Sequence, residues 1–292
     1  MPRPEGPDLP PGRALELPGR GRTFVREVAG PPGAPTVVLL HGLGASADLN
    51  WFPSYTGLGR HFRVVAIDQR GHGRGIRVGA RFRLEDCADD VAALADALGV
   101  ERVIPVGYSM GGPVAQLVWR RHRERVAGMV LCATSRNFRG GPRERMMFAA
   151  LPGFAAALRM TPTPVRRGVM LRAFPNRYED PPMRQWAYSE LRRNDPAGLA
   201  GAAAQLGRFS SHEWIGEVDV PTAVVVTGRD SLVPPHRQLR LAESIPDASV
   251  HVVDGDHAAC VMAWRRFVPV LVESCLAVSQ RSGVIQKGAP AV

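Results

Sequence analysis

Short runs of apolar, often β-branched residues recur along the chain, separated by stretches whose apolar positions follow a helical period. The runs predict buried strands, at residues 15–17, 23–28, 36–40, 64–67, 103–106, 126–132, 222–227 and 249–253. The intervening stretches predict helices, at residues 47–60, 84–98, 110–121, 236–244 and 258–278. Because strands alternate with helices, the pattern predicts an α/β fold whose mostly parallel central sheet is flanked by helices.

The alternation stops between residues 134 and 213, a region with several prolines and no strand-like run. Its large apolar residues are Met146, Met147, Phe148, Leu151, Phe154, Leu158, Met170, Leu171 and Phe174. We therefore predict a helical cap over residues 134–213, its apolar face lining a pocket, on an α/β-core of residues 14–133 and 214–279. The Pro- and Gly-rich residues 1–13 are predicted to be a disordered extension, and residues 280–292 a flexible tail.

The charge of the chain is strongly positive. The 292 residues include 37 Lys and Arg against 27 Asp and Glu, a net charge of +10, and Lys287 is the only lysine. The cations are scattered and no recognition motif accompanies them, so we predict no nucleic-acid partner. The predicted cap holds thirteen Arg and six acidic residues. This surplus could receive an acidic substrate or contact an anionic membrane surface, but a solvated outer face is the simpler interpretation.

The four cysteines, Cys87, Cys132, Cys260 and Cys275, lie far apart and form neither a CxxC nor a CxH pattern. They predict small buried side chains in a reducing compartment, not a disulfide framework or a metal site. No apolar run approaches the ~18 residues that a membrane span requires, and the N-terminus lacks the apolar segment of a signal peptide. We therefore expect a cytoplasmic protein that uses neither a metal nor a cofactor.

Candidate chemistry is concentrated between the strand at 103–106 and the helix that follows it. Residues 107–111 have the sequence Gly-Tyr-Ser-Met-Gly, the spacing of a nucleophile elbow. So sharp a turn strains the serine backbone, and a side chain two positions before or after the serine would collide with the strand or the helix. Glycine avoids this collision. The pattern predicts that Ser109 is a nucleophile; the alternative is an ordinary glycine turn.

A serine hydroxyl is a weak nucleophile at neutral pH and needs a base that a carboxylate orients. Ligands of parallel sheets gather beyond the carboxyl ends of the strands, so these partners are expected in loops that follow strands. Asp230 and His257 each follow a predicted strand, in the chain order Ser, acid, His. We predict Asp230 as the acid and His257 as the base. Asp254 and Asp256 are rival acids, although their closeness to His257 in sequence suits loop structure better.

Two backbone N–H groups are predicted to stabilise the oxyanion that forms when a hydroxyl attacks a carbonyl group. One belongs to Met110, directly after the serine, and the other to Leu43, in the His-Gly-Leu-Gly segment at residues 41–44. Gly42 and Tyr108 flank these donors and are predicted to contact the substrate.

Polar residues also follow the strands at 36–40 and 64–67, where they can hold loops by hydrogen bonds. We predict this bracing role for His41, Asp68, Arg70 and His72. The alternative is that either histidine takes part directly in the chemistry.

Together these motifs resemble the α/β-hydrolase superfamily over residues 14–279. The matching segments are His-Gly-Leu-Gly at 41–44, Asp-x-Arg-Gly-x-Gly at 68–73, the elbow at 107–112, Asp230 before Val233-Pro234, and Gly-Asp-His at 255–257. The resemblance implies an α/β-hydrolase fold, and the Ser-Met-Gly-Gly form is similar to small esterases and to the cofactor-free haloperoxidase-like group. Haloalkane dehalogenases and epoxide hydrolases have Asp where this chain has Ser109. Hydroxynitrile lyases typically add a lysine, and the only lysine here lies in the tail.

The expected function is hydrolysis of a small carboxylic ester with an apolar part, through an acyl-enzyme intermediate on Ser109. Two other enzymatic functions use the same triad: a thioesterase or acyltransferase, and a carbon–carbon bond hydrolase. A receptor that binds its ligand tightly and turns it over slowly is the non-enzymatic alternative.

Overall fold

The computed structural model of the protein describes residues 6–78, 81–139 and 178–283, together with the single positions 146, 153, 157, 160, 161 and 165. Eight strands form one sheet in the order β1-β2-β4-β3-β5-β6-β7-β8. They are β1 (Gly12–Leu17), β2 (Gly21–Val28), β3 (Thr36–Leu40), β4 (Arg63–Ile67), β5 (Val103–Tyr108), β6 (Met129–Cys132), β7 (Thr222–Thr227) and β8 (Ser249–Val253). β1 and β2 pair antiparallel, as do β2 and β4, whereas β3 to β8 join the sheet through parallel pairs. The mostly parallel α/β-fold is thereby confirmed.

Helices connect the strands and cover the sheet. They are α1 (Ala47–Trp51), α2 (Tyr55–Gly59), α3 (Leu84–Ala97), α4 (Gly111–Arg121), α5 (Pro181–Leu191), α6 (Pro196–Arg208), α7 (Pro235–Glu243), α8 (Ala259–Met262) and α9 (Trp264–Arg281). In the described ranges, none of them combines the length and the apolar character needed to cross a bilayer.

Alternate side chains of the central strands build two separate layers of the core, because neighbouring residues of a strand point to opposite faces of the sheet. Val38 and Leu40 of β3 pack in one layer with residues of α3, α4 and α7. Val37 and Leu39 pack in the other with residues of α1, α2 and α9. Since β3 to β8 run parallel, the loops after them meet along one edge of the sheet, and the candidate site lies there.

Three predicted elements differ from the structure in their bounds. The helix predicted at 47–60 is divided into α1 and α2, because Pro53 between them lacks the N–H that a continuous helix requires. The strand predicted at 126–132 begins only at Met129, since Val126 makes one isolated bridge, with Val103. The helix predicted at 258–278 is interrupted at Ala263, where φ of −116° and ψ of 31° are not helical.

Both predicted terminal boundaries also shift by two residues. Gly12 and Arg13, predicted to be disordered, belong to β1, because Gly12 pairs with Arg26 of β2. The last helix, α9, continues to Arg281, two residues into the predicted tail. The backbone pairing and the helical hydrogen bonds extend further than the composition of these segments suggested.

The described part of the predicted cap includes α5 and α6. Met146, one of the residues proposed to line a pocket, is 72% exposed. The other apolar residues of that prediction lie outside the described residues: Met147, Phe148, Leu151, Phe154, Leu158, Met170, Leu171 and Phe174. A pocket beneath the cap therefore stays a prediction.

Candidate active site

Ser109 lies at the sharp turn between β5 and α4, with a backbone φ of 51°. This left-handed conformation is strained for a residue other than glycine. Two hydrogen bonds hold it: the Ser109 N–H donates to the Cys132 carbonyl group (2.9 Å), and Thr134 Oγ1 donates to the Ser109 carbonyl group (2.8 Å). A Cβ on Gly107 would lie 2.2 Å from the Gly111 carbonyl oxygen. The elbow therefore requires glycine at this position for steric reasons, as its spacing predicted.

Gly111 offers a direct test of this steric requirement, because a Cβ there would lie 2.1 Å from the carbonyl oxygen of Leu40 in β3. Gly111→Ala must push two central elements apart, so we expect it to reduce the free energy of unfolding by about 3 kcal/mol or more. The melting temperature would then fall by roughly 10 °C. Gly216→Ala is the control, since its Cβ would meet its nearest neighbour at an ordinary 3.6 Å. Equal melting temperatures for the two variants would contradict the steric explanation.

The imidazole of His257 lies between the hydroxyl of Ser109 and the carboxylate of Asp230. Its Nε2 is 3.0 Å from Ser109 Oγ, and its Nδ1 is 2.7 Å from Asp230 Oδ2. A carboxylate can only accept a hydrogen bond, so the ring proton lies on Nδ1 and Nε2 is left to accept from the serine. The structure thus brings together, from three loops, the side chains predicted as nucleophile, base and acid. In this arrangement the imidazole can take the serine proton.

The Asp230 carboxylate is enclosed by hydrogen-bond donors besides the imidazole. Oδ1 accepts from the N–H groups of Leu232 and Val233, both at 2.9 Å. Oδ2 accepts from Thr227 Oγ1 (2.8 Å) and Gln238 Nε2 (3.3 Å). These donors fix the orientation of the carboxylate. The sequence did not predict Thr227 or Gln238, and the only available signal is that both lie within eight positions of Asp230.

The two rival carboxylates serve the loop around His257. Asp254 is 64% exposed and forms ion pairs with Arg229 (2.7 Å) and Arg266 (2.9 Å). Asp256 accepts a hydrogen bond from the N–H of Ala258 (2.9 Å). The Nδ1 of the imidazole lies 2.7 Å from Asp230 Oδ2 instead. Their positions agree with the expectation that they belong to loop structure.

Two backbone N–H groups beside Ser109 are available to a substrate oxygen. Those of Leu43 and Met110 donate no hydrogen bond to any residue that the structure describes. Met110 stands at the start of α4, where the helix dipole favours negative charge. A Cβ on Gly42 would lie 3.4 Å from Ser109 Cβ, so the backbone of this loop passes directly over the nucleophile. The predicted donors and the predicted contact at Gly42 therefore lie at the same site.

Two buried asparagines, neither predicted from the sequence, hold the loop after β3. Asn50 Oδ1 accepts from the Gly42 N–H (3.0 Å). Asn194, just beyond α5, donates to the Gly44 carbonyl group and accepts from the Gly73 N–H, both at 2.7 Å. One side chain thereby joins the loops after β3 and β4. Asn194 is 150 residues from Gly44, so no local pattern could have identified it.

Tyr108, predicted to contact the substrate, has its side chain in the core instead. It is 2% exposed, and its ring makes edge contacts with Trp51 and Phe267. Its hydroxyl donates to the His257 carbonyl group (3.0 Å). Successive strand residues face opposite sides of the sheet, and this side chain lies on the face that α1 and α9 cover. Tyr108 therefore supports the His257 loop from beneath.

His41 and His72 are buried loop braces, as predicted. His41 Nε2 accepts from the Gln69 N–H (3.0 Å), and its Nδ1 lies 2.9 Å from the Gly42 carbonyl oxygen. Nδ1 of His72 lies 3.1 Å from the Arg70 carbonyl oxygen. Burial lowers the pKa of His41 to about 4. Burial, with a smaller contribution from the neighbouring His41, lowers the pKa of His72 to about 3. Both imidazoles are therefore neutral near neutral pH.

Because these pKa values are lowered in the folded protein, acidification is expected to reduce the free energy of unfolding. Because the unfolded histidine titrates at about 6.5, the stability that neutral His72 contributes is complete above that pH and is lost as the pH falls toward about 3. Between pH 7 and pH 5, we expect this loss to be about 2 kcal/mol. His72→Leu should reduce the pH dependence of the unfolding free energy by that amount, measured by urea titration at both pH values. His61→Gln, at an exposed position, should leave it unchanged; the same change in both variants would contradict the assignment.

Asp68 and Arg70 also brace the loop after β4, as predicted. Asp68 Oδ1 accepts from the Ala47 N–H (2.7 Å), and Oδ2 accepts from the Arg74 N–H (2.8 Å). Arg70 forms two hydrogen bonds with the carboxylate of Asp90, at 2.7 and 2.6 Å. The motif at residues 68–73 is thus a structural support for the candidate site.

All four cysteines are buried and unpaired. Burial raises the pKa of the Cys87, Cys132 and Cys275 thiols, and raises that of Cys260 to about 12. Thiols with such pKa values stay protonated and behave as small apolar side chains.

The chain is similar in sequence and in structure to known hydrolases. Residues 35–262 match the sequence profile of the family described as "alpha/beta hydrolase fold". A protein of Agrobacterium fabrum, provisionally named as the carbamate hydrolase RutD, is 29% identical over 85% of this chain and 95% of its own length. The poly(3-hydroxyalkanoate) depolymerase of Ectopseudomonas oleovorans is 27% identical over 92% and 94%. The crystal structure of a hydrolase from Pseudomonas aeruginosa PA01 has a TM-score of 0.76 at 24% identity, covering 90% of this chain and 98% of that one.

Proposed function

The chain belongs to the α/β-hydrolase family as one of its hydrolases, and from this premise we propose that it cleaves a carboxylic ester through an acyl-enzyme on Ser109. The observation that supports this most strongly is the continuous series of hydrogen bonds from Asp230 through His257 to Ser109, at 2.7 and 3.0 Å. The two available N–H groups beside the serine add the donors that a developing oxyanion requires.

The proposed reaction begins when His257 Nε2 takes the Ser109 proton and the serine oxygen attacks the carbonyl carbon. The tetrahedral oxyanion accepts hydrogen bonds from the Leu43 and Met110 N–H groups, each contributing ~3 kcal/mol in the transition state. The imidazolium, stabilised by Asp230, then gives its proton to the leaving alcohol and the carbon–oxygen bond breaks. Water, deprotonated by the same imidazole, releases the acid and restores Ser109.

A small-molecule ester with an apolar part is the substrate class that we propose. The named relatives support chemistry at an acyl carbon, since one name specifies a carbamate and the other a polyhydroxyalkanoate. We also propose that the protein works in a reducing, cytoplasmic compartment, which suits its unpaired thiols.

Two assays test the ester proposal. A fluorophosphonate probe should label Ser109, identified by peptide mass spectrometry, and p-nitrophenyl esters of increasing chain length should be hydrolysed with a preferred length. Labelling without turnover would favour the slow-turnover receptor, and transfer of the acyl group to added alcohols or amines would favour the acyltransferase. Absence of both labelling and turnover in the folded protein would reject the proposal.

We propose that residues 134–213 form the helical cap of a core made of residues 14–133 and 214–279, and that Asn194 couples this cap to the oxyanion loop. Asn194→Ala removes two hydrogen bonds of 2.7 Å, so Leu43 should be held less firmly. We expect kcat/KM for p-nitrophenyl butyrate to fall about tenfold, the effect of roughly 1.4 kcal/mol. Ser189→Ala, which removes one hydrogen bond to Trp186, is the control. Unchanged kcat/KM in Asn194→Ala would contradict the coupling.

A further inference from the structure

A strongly basic cavity of about 360 Å³ lies beside α7, separate from the triad. Its lining includes four arginines and two histidines: Arg136, Arg139, Arg237, Arg240, His212 and His236. The remaining lining residues are Ser135 and Asn137, so no carboxylate borders the cavity among the residues that the structure describes. Such a concentration of cations is unfavourable unless an anion compensates it.

Three of the four lining arginines have no carboxylate partner within the described ranges. Arg136, Arg139 and Arg240 form no ion pair there. Arg136 instead donates to the Ser244 hydroxyl group (2.5 Å). Partial burial and the neighbouring charge of Arg136 lower the pKa of His212, as expected in a positive field. Because the guanidinium groups of Arg136, Arg139 and Arg240 have no carboxylate partner in the described part of the chain, they are available to an anionic ligand.

Buried hydrogen bonds fix the walls of the cavity. Ser211 donates from its N–H to the Arg136 carbonyl group (2.9 Å) and from Oγ to Gln116 Oε1 (2.7 Å). Arg237 donates to the carbonyl group (2.6 Å) and side-chain oxygen (2.7 Å) of Asn137. The loop at residues 135–137 is thereby joined to α7 through Arg237 and to α4 through Ser211. A cavity with walls held in this way can bind a ligand at a low cost in ordering.

The cavity is also connected to the candidate active site. Its loop begins one residue after Thr134, which donates to the Ser109 carbonyl group (2.8 Å). Arg136 lies two residues beyond Thr134, a reach of at most ~7 Å along the chain. On the other wall, α7 carries Gln238, which bonds to Asp230 (3.3 Å). A group bound in the cavity would therefore lie near the loops that hold nucleophile and acid.

We propose that this cavity binds a phosphate group, either as a free anion or as part of the substrate. Phosphate suits the site because its several oxygen atoms can accept hydrogen bonds from more than one guanidinium group, which a single carboxylate does less well. Its double negative charge also compensates more than one positive charge. Only the second source, a substrate that carries the phosphate, rests on the proposed esterase function.

Binding is tested first without catalysis. Full-length wild-type protein and the Ser109→Ala variant are titrated with inorganic phosphate and pyrophosphate by calorimetry at low ionic strength, where screening is weak. We expect binding at one site. Arg136→Gln/Arg240→Gln should weaken it at least about tenfold, since charge-assisted hydrogen bonds are lost. Arg281→Gln, on α9 at the opposite face of the sheet, should not. No binding to the wild type, or equal binding to the double variant, would overturn the proposal.

A second measurement separates the two sources and covers the case in which the double variant does not fold. Arg240→Gln alone changes an exposed helix position and should itself weaken binding. Butyryl-coenzyme A and S-butyryl-N-acetylcysteamine present the same thioester with and without phosphates. If Arg240→Gln raises KM for butyryl-coenzyme A alone, the phosphate belongs to the substrate. If Arg240→Gln loses phosphate binding but both KM values are unchanged, the site binds a free anion. If neither thioester is cleaved, the acyl chemistry fails and the calorimetric result stands.

Discussion

Ser109→Ala is expected to lower kcat for p-nitrophenyl acetate and butyrate by ~10⁴-fold or more, because it removes the hydroxyl that forms the proposed acyl-enzyme. Alanine removes only the hydroxyl, which bonds to His257 (3.0 Å). The backbone bonds from Ser109 to Cys132 and from Thr134 to Ser109 are untouched, so the elbow should keep its shape. Initial rates at saturating ester, together with the loss of fluorophosphonate labelling, measure the effect.

A matched control uses a serine outside the elbow. Ser211 is buried, and its hydroxyl bonds to Gln116 (2.7 Å). Ser211→Ala should therefore affect stability more than turnover. Full hydrolysis by a folded Ser109→Ala variant would contradict the assignment of Ser109 as the nucleophile.

Asp230→Asn is expected to lower kcat by about 10⁴-fold while leaving the fold intact. Oδ2 accepts from Thr227 Oγ1 (2.8 Å) and lies 2.7 Å from His257 Nδ1. An amide nitrogen there would donate to Nδ1 and move the ring proton to Nε2, which could no longer accept from Ser109. If the amide oxygen took that position instead, the nitrogen would face the N–H groups of Leu232 and Val233.

Asp254→Asn tests the same substitution at the exposed rival carboxylate. Its loss affects ion pairs with Arg229 and Arg266, which contribute little at the surface. Turnover should stay within about twofold of the wild type. A larger loss in Asp254→Asn than in Asp230→Asn would transfer the role of acid to Asp254.

The sequence predicted most reliably where one local pattern controls the structure. The strands β3, β7 and β8 have the predicted bounds. β3 and β7 are apolar runs that begin with threonine, and β8 combines three valines with Ser249 and His251. The order and position of Ser109, Asp230 and His257 were predicted because parallel strands bring their carboxyl ends to one edge.

Features that depend on distant contacts were not predicted. Asn194 acts on a loop 150 residues away, and only the folded chain brings them together. The core position of the Tyr108 side chain was not predicted either, because adjacency to a nucleophile in sequence does not determine which face of the sheet a side chain occupies. Gln238, near the start of α7, donates a hydrogen bond to Asp230. Its distance from Asp230 in sequence does not distinguish it from other polar residues on that helix.

The placement of the four thiols has a practical consequence for following the folding of this protein. Cys87 packs in one layer of the core, whereas Cys132, Cys260 and Cys275 pack in the other. A maleimide or disulfide reagent can reach them only when the respective layer opens, so the rate at which each thiol is modified reports the opening of its own side of the sheet. The native cysteines therefore allow the opening rates of the two core layers to be measured separately without introducing a label site.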